Sequence, residues 1–242
     1  METIYTAILK AKSENSKLLA ILLDPDKIAW DTLDLMLSRI NNSPATHIFI
    51  GGSLVLSNQI DQLIVRIKKS CQLPIVLFPG NPSQISEKAD GILFLSLISG
   101  RNPDYLIGHH VTAAPILKKA KLEIIPTGYI LIASGNKTSV ATTSQTQPIS
   151  RDNVLEVLHT AQAGEMLGSK LLYLEAGSGA ALAVPMQIIE AVSKETGIPL
   201  IVGGGIQTLQ GIHEAYDSGA DMVVIGTAFE RDSNFFNAWA ND

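Results

Sequence analysis

The sequence predicts a (β/α)8 barrel, and three observations carry that prediction. Eight short runs of aliphatic and β-branched residues recur along the 242 residues, each followed by turn residues and then by apolar positions at helical spacing. Most of these runs are continuously apolar, as parallel strands covered on both faces must be. Eight βα units typically fill about 250 residues, which matches the length. The expectation is one α/β TIM-barrel domain over residues 1–242.

Taken in order, a helix precedes the first strand, "LLAILLD" (18–24). A helix over 31–40 follows, entered from Asp31, and leads to "THIFI" (46–50). The next helix is expected over 54–69, before "PIVLF" (74–78). The connection "PGNPSQISEKAD" carries two prolines and leaves little room for a crossover helix, so the helix after strand three is expected to be short or missing. Strand four is "GILFLSL" (91–97), followed by a helix over 103–120 and strand five, "LEIIPTGYILI" (122–132). The polar segment 133–150 is too long for an ordinary βα turn and reads as a lid or a mobile loop. A helix over 151–168, entered from Ser150 and Asp152, leads to "KLLYLE" (170–175). Helices over 184–196, with Pro185 near its first turn, and 207–218 flank "PLIVG" (199–203), and "DMVVIG" (221–226) precedes a short helix near 233–240.

Composition excludes several functions. Lys and Arg number 18 against 23 Asp and Glu, a net charge of −5, and no basic block stands ready to neutralise a run of phosphates, so nucleic acid is not an expected partner. The single Cys71 cannot form an internal disulfide and reads as a half-buried thiol before a strand. The N-terminus is too polar for a secretory signal, and no apolar run approaches the roughly 18 residues of a membrane span. A soluble, cytoplasmic protein is expected, with at most peripheral membrane contact, because no strongly basic amphipathic helix is evident.

Barrel active sites sit where the strands end, so each strand's last residue is read with the turn after it. Strand seven runs into Gly203, Gly204 and Gly205, and strand eight into Gly226 and Thr227. Missing Cβ atoms let backbone N–H groups approach an anion, and two adjacent strands ending this way point to a phosphate site. Strand six places Tyr173 and Glu175 on one face, since residues two apart on a strand point the same way, and then breaks into Gly177, Ser178 and Gly179. An acid beside a phosphate site is suited to taking a proton from a substrate hydroxyl; pairing with a core lysine or capping a turn is the structural alternative. Strand one ends in Asp24, within "DPDK", and strand two in Gly51, Gly52 and Ser53. Two readings of Asp24 stand open: an oxygen ligand of Mg²⁺ with Ser53 beside it, or a plain Asx turn. His47, His109, His110, His159 and His213 lack metal-ligand spacing and read as structural or surface residues, and Trp30 and Trp239 as packing residues.

With these residues in hand, the sequence resembles the geranylgeranylglyceryl phosphate synthase family, the PcrB-like barrels, in its longer, archaeal-like group. The likeness runs through "LLDPDK" (22–27), "GGS" (51–53), "HHVTAAPILKK" (109–119), "PTGYILI" (126–132), "YLEAGSG" (173–179), "GGGI" (203–206) and "GTAFE" (226–230). It implies Mg²⁺-dependent transfer of a polyprenyl group, in the "YLEAGSG" form geranylgeranyl, from its diphosphate to the C3 hydroxyl of sn-glycerol 1-phosphate, for ether-lipid synthesis. It implies Asp24 and Ser53 as the metal site. Glycerol 1-phosphate would be held by Tyr173, Leu174, Glu175, Ala176, Gly177, Ser178, Gly179, Gly204, Gly205, Gly226 and Thr227. Glu175 would be the base, and Tyr173 would orient glycerol or lie near the cationic carbon. The resemblance also implies a barrel lacking its third helix, a prenyl groove on that side, and a homo-oligomer. Some relatives carry a lysine where this chain has Leu22, so anion binding here must rely on other groups. Heptaprenyl transfer, a phosphosugar isomerase or lyase, and a non-catalytic phosphate-binding barrel are the alternatives.

Overall fold

A computed structural model describes residues 2–53, 55, 59–232, 235, 236 and 239. Eight parallel strands pair in chain order and close on themselves: β1 (Leu18–Leu23), β2 (His47–Ile50), β3 (Ile75–Leu77), β4 (Gly91–Leu97), β5 (Glu123–Leu131), β6 (Leu171–Glu175), β7 (Leu200–Gly203) and β8 (Met222–Ile225). The long helices are α1 (Ile4–Ser13), α2 (Leu33–Asn41), α3 (Ile60–Ser70), α4 (His109–Leu117), α6 (Val154–Met166), α7 (Met186–Glu195) and α8 (Leu209–Asp217); α5 (Ser139–Ser144) and α9 (Thr227–Arg231) are short.

The period of two along each strand divides the apolar side chains into two layers. Ala20, Phe49, Val76, Leu93, Tyr129, Leu171, Tyr173, Ile201 and Val224 fill the barrel interior. Their neighbours Ile21, Ile48, Leu77, Ile92, Ile130, Leu172, Val202 and Val223 pack outward against the helices. Both faces of each strand are therefore apolar, which is why the strands read as unbroken runs. At the N-terminal end of the barrel, α1 places Ile8 in the interior layer. The Glu123 carboxylate accepts from the first-turn amides of Ile4 and Tyr5, an anion at the positive end of a helix.

The expected gap after β3 is present. Between β3 and β4 the chain makes only a 3-10 turn, Pro82–Gln84. Buried Gln84 ties this turn down, donating Nε2 to the Gly52 carbonyl at 2.9 Å and accepting from the Gly80 amide at 3.1 Å. The outer edge of β4 is thus left without a helix of its own.

Several local expectations are corrected. The helix expected over 103–120 is a π-helical stretch, Asp104–Gly108, continued by α4 with Pro115 inside it. Thr32, not Asp31, precedes α2, and its side chain makes no capping bond. Asn153, not Ser150 or Asp152, caps α6: its Oδ1 accepts from the Glu156 amide at 3.2 Å while its Nδ2 reaches the Glu156 carboxylate at 2.7 Å, a reciprocal cap. Cys71 is buried, and Trp30 is half out in solvent with its indole N–H on Gln59. Segment 133–150 folds against the barrel mouth through α5, whose carbonyls at Ser144 and Thr143 accept from Asn102 and Tyr105. The beginning of the helix expected from 54 and most of the helix expected near 233–240 lie outside the described residues.

Candidate active site

β6 brings Tyr173 and Glu175 into the mouth as its alternation requires, with Glu175 the last residue of the strand and 5% exposed. A carboxylate this deep needs compensation. The Gly177 amide donates to its Oε1 at 2.5 Å, and the phenols of Tyr129 and Tyr173 donate as well. Burial still outweighs these bonds and pushes the Glu175 carboxyl up to about 7. An acid tuned to that range is matched to proton transfer at neutral pH. Both phenols are held far above their ordinary range, by burial first and then by the Glu175 charge, so they remain neutral donors. Tyr129 stands opposite Tyr173 in the β5–β6 register, with ring centroids 5.4 Å apart, and Phe78 stacks on Tyr173 at 5.2 Å.

The turn after β7 forms the adjoining wall. Gly204 and Gly205 both have left-handed backbones, φ +81° and +71°. A Cβ on Gly204 would overlap Oε1 of Glu175 and the amide nitrogens of Ala176 and Gly177, so the β6 and β7 turns meet at a distance only glycine permits. The Ala176 amide joins them, donating to the Gly203 carbonyl at 3.0 Å. Gly226 and Thr227 continue the wall at the end of β8. Together these turns enclose a cavity of about 600 Å³.

Asp24 stands on the other flank, at the end of β1. Its Oδ1 accepts from the Asp26 amide at 3.1 Å, the Asx turn foreseen for "DPDK", and its Oδ2 pairs with Lys27 Nζ at 3.0 Å. Gly52 leaves the space before the carboxylate open: a Cβ built there would lie 3.5 Å from both oxygens. Ser53 lines the same cavity. Among the described residues, no group of three or more His, Cys, Asp or Glu side chains is arranged to hold a metal ion.

A second, strongly apolar groove runs from this corner along the side that lacks a third helix. Ile85, Ile92, Phe94, Leu95 and Ala113 line it, and it shares Gly52, Ser53, Phe78, Tyr129 and Val140 with the cavity. His109 and His110 lie in its wall. The His110 ring sits edge-on to Phe94 at 4.4 Å with Nε2 3.2 Å from Ser96 Oγ, and burial lowers its pKa, which suits a neutral wall residue.

A sequence model described as the PcrB family matches residues 11–240. The chain belongs to the PcrB family. It is 63% identical over 238 residues to the geranylgeranylglyceryl phosphate synthase of Flavobacterium johnsoniae, covering 98% of each chain. The synthase of the same name from Korarchaeum cryptofilum is 38% identical over 214 residues, 88% of each chain. Among solved structures, (S)-3-O-geranylgeranylglyceryl phosphate synthase of Thermoplasma acidophilum, in complex with its substrate sn-glycerol-1-phosphate, superimposes with a TM-score of 0.92 at 34% identity over 98% of this chain and 96% of that one.

Within this PcrB-family chain, Tyr173, Glu175, Gly177, Ser178, Gly179, Gly204, Gly205, Gly226, Thr227, Asp24 and Ser53 all line one cavity. Leu174 and Ala176 do not: by strand alternation their side chains belong to the buried outer layer, leaving only their main chain to face a ligand. Sequence reasoning missed Tyr129 and Phe78 as cavity residues, and placed Lys27 at the tip of strand one without giving it a role. Tyr129 was within reach, since pairing β5 with β6 puts it beside Tyr173. Phe78 gave no signal beyond its place at the end of an apolar run.

Proposed function

We propose that this PcrB-family chain works as one barrel domain and as a prenyltransferase. It joins the geranylgeranyl group of its diphosphate to the C3 hydroxyl of sn-glycerol 1-phosphate. The observation that carries this reading is the junction of two unlike spaces: a glycine-walled polar cavity holding a buried carboxylate, and an apolar groove opening from it. A hydrophilic acceptor and a lipid donor need such a pair of compartments. A phosphosugar isomerase would use the first and leave the second without a purpose, and a carboxyl pushed up to about 7 favours catalysis over simple phosphate sensing. The names shared by the relatives support the geranylgeranyl donor over the heptaprenyl one.

In this reading the acceptor's phosphate lies against Gly177–Gly179, Gly204, Gly205, Gly226 and Thr227, where the backbone N–H groups other than that of Gly177, which is bonded to Glu175, suit an anion. Its C3 hydroxyl meets Glu175. The bond between C1 of the prenyl chain and the diphosphate oxygen breaks, its electron pair leaving with diphosphate. The C3 oxygen forms the ether bond to C1, and its proton passes to Glu175. Tyr173 and Tyr129 orient the carboxylate, and the tail lies in the groove between β4 and α4.

The Asp24 corner fits Mg²⁺ of the kind that takes one carboxylate and completes its shell with water and substrate phosphate, because Gly52 leaves the approach open and Ser53 adds a neutral oxygen. Mg²⁺ held by Asp24 and Ser53 would neutralise charge on the departing diphosphate. A homo-oligomer is the assembly proposed, from the likeness to the family. No helix of the described residues is long and apolar enough to cross a membrane, and cytoplasmic work with at most peripheral membrane contact is the setting proposed. The test is incubation of the purified protein with radiolabelled glycerol 1-phosphate, Mg²⁺ and prenyl diphosphates of several lengths. Label should move into organic solvent most with the geranylgeranyl donor; label that stays in water with every donor would contradict the reading.

A further inference from the structure

The wall of the cavity is acidic on balance, although it must receive a diphosphate. Asp24, Glu175, Glu230 and Asp232 line it against Lys27 and Arg231 among the described residues. A diphosphate carrying several negative charges therefore needs a protein cation as well as a metal, placed where the polar cavity meets the apolar groove. That junction is Gly52 and Ser53, common to both spaces, with Gly52 against the Asp24 carboxylate.

Lys27 is the cation at that corner. The 3-10 turn Pro25–Lys27, closed by the Lys27 amide on the Asp24 carbonyl at 3.0 Å, folds the lysine back over the end of β1. Its Nζ rests 3.0 Å from Asp24 Oδ2, and its side chain is 52% exposed. An ammonium carries three donors, and this carboxylate takes only part of that capacity. A half-exposed pair of this kind contributes little stability, so sharing the ammonium with a ligand costs little. Asp24 thus holds the lysine ready at the cavity wall. Glu230 lies near both Asp24 and Lys27 and further biases the ammonium toward this corner.

We propose that Lys27 binds the donor's diphosphate, its ammonium passing from Asp24 to a non-bridging phosphate oxygen as the donor enters. The proposal rests on the prenyltransferase reading. It assigns Lys27 a part in donor binding separate from the glycine wall that takes the acceptor.

The test compares parent, Lys27→Gln and Lys27→Arg by calorimetric titration with inorganic diphosphate and Mg²⁺, and by steady-state kinetics in both substrates. Loss of one charge-assisted bond predicts that Lys27→Gln raises the diphosphate Kd and the prenyl diphosphate KM together by about ten- to a hundredfold. Lys27→Arg should recover most of that loss, and glycerol 1-phosphate affinity should stay within about twofold in both variants. A folded Lys27→Gln protein that binds diphosphate like the parent overturns the assignment. So does a variant whose glycerol 1-phosphate affinity falls as far as its diphosphate affinity, which would mark a structural role. A parent that neither binds diphosphate nor forms an ether lipid would instead contradict the prenyltransferase reading on which the assignment stands.

Discussion

Gly204 lies so close to Glu175 that a methyl group on its α-carbon would overlap the carboxylate oxygen Oε1. The base and the anion wall are therefore one structural unit: the β7 turn can carry a left-handed glycine against the carboxylate, and no other residue. Gly204→Ala should cost about 1–3 kcal/mol through its φ of +81° and the overlap together, and should lower turnover at least about tenfold by displacing Glu175. Thermal melts and steady-state kinetics check the two effects separately.

The raised pKa of Glu175 predicts two opposite pH trends. As a base it must be ionised, so kcat/KM should climb with pH and level off above about 7. For stability the sign reverses. The folded carboxyl titrates near 7 and the unfolded one near 4.5, so the native state holds the extra proton between those values. The favourable contribution is whole below about 4.5 and is lost as pH rises through about 7. Glu175→Gln removes this dependence, so the parent should lose on the order of 3 kcal/mol more stability than the variant between pH 5 and pH 8. Denaturant titrations at the two pH values would reveal it.

Asp24 is expected to act through the metal. Asp24→Ala should raise the Mg²⁺ concentration needed for half-maximal rate by at least about tenfold while leaving glycerol 1-phosphate affinity near that of the parent. Identical Mg²⁺ titrations in parent and variant would remove Asp24 from the metal site.

The groove makes a prediction about tail length. Ala113 of α4 is buried in its wall, where a larger side chain would project into the space left by the missing helix. Ala113→Phe should depress use of the geranylgeranyl donor relative to the geranyl donor by about tenfold or more, since each methylene denied burial forfeits about 0.8 kcal/mol. A ratio of kcat/KM values for the two donors is the readout.

The barrel was legible because both faces of its strands are covered, which leaves unbroken apolar runs such as "GILFLSL", and because turn residues punctuate them. The missing third helix was legible from Pro79 and Pro82. The inner and outer sets were only partly legible: alternation put Tyr173 and Glu175 inside, yet a contiguous motif carried Leu174 and Ala176 along with them, although they face the other way. Tyr129 needed the β5–β6 pairing to be placed beside Tyr173, and Phe78 could not be assigned from local pattern, because its stacking on Tyr173 joins strands distant in sequence. The same holds for α5, a six-residue helix in a Ser/Thr-rich segment whose order comes from Asn102 and Tyr105. Cap positions slipped by one to three residues, because several polar residues precede α2 and α6 and only the folded chain selects among them.

The most direct test of the account is the rate of ether formation by Glu175→Gln, measured in single turnover beside calorimetric titration of glycerol 1-phosphate. A general base at this position predicts a fall of about a hundredfold or more in rate, with acceptor affinity within a few fold of the parent. Turnover equal to the parent's would contradict it.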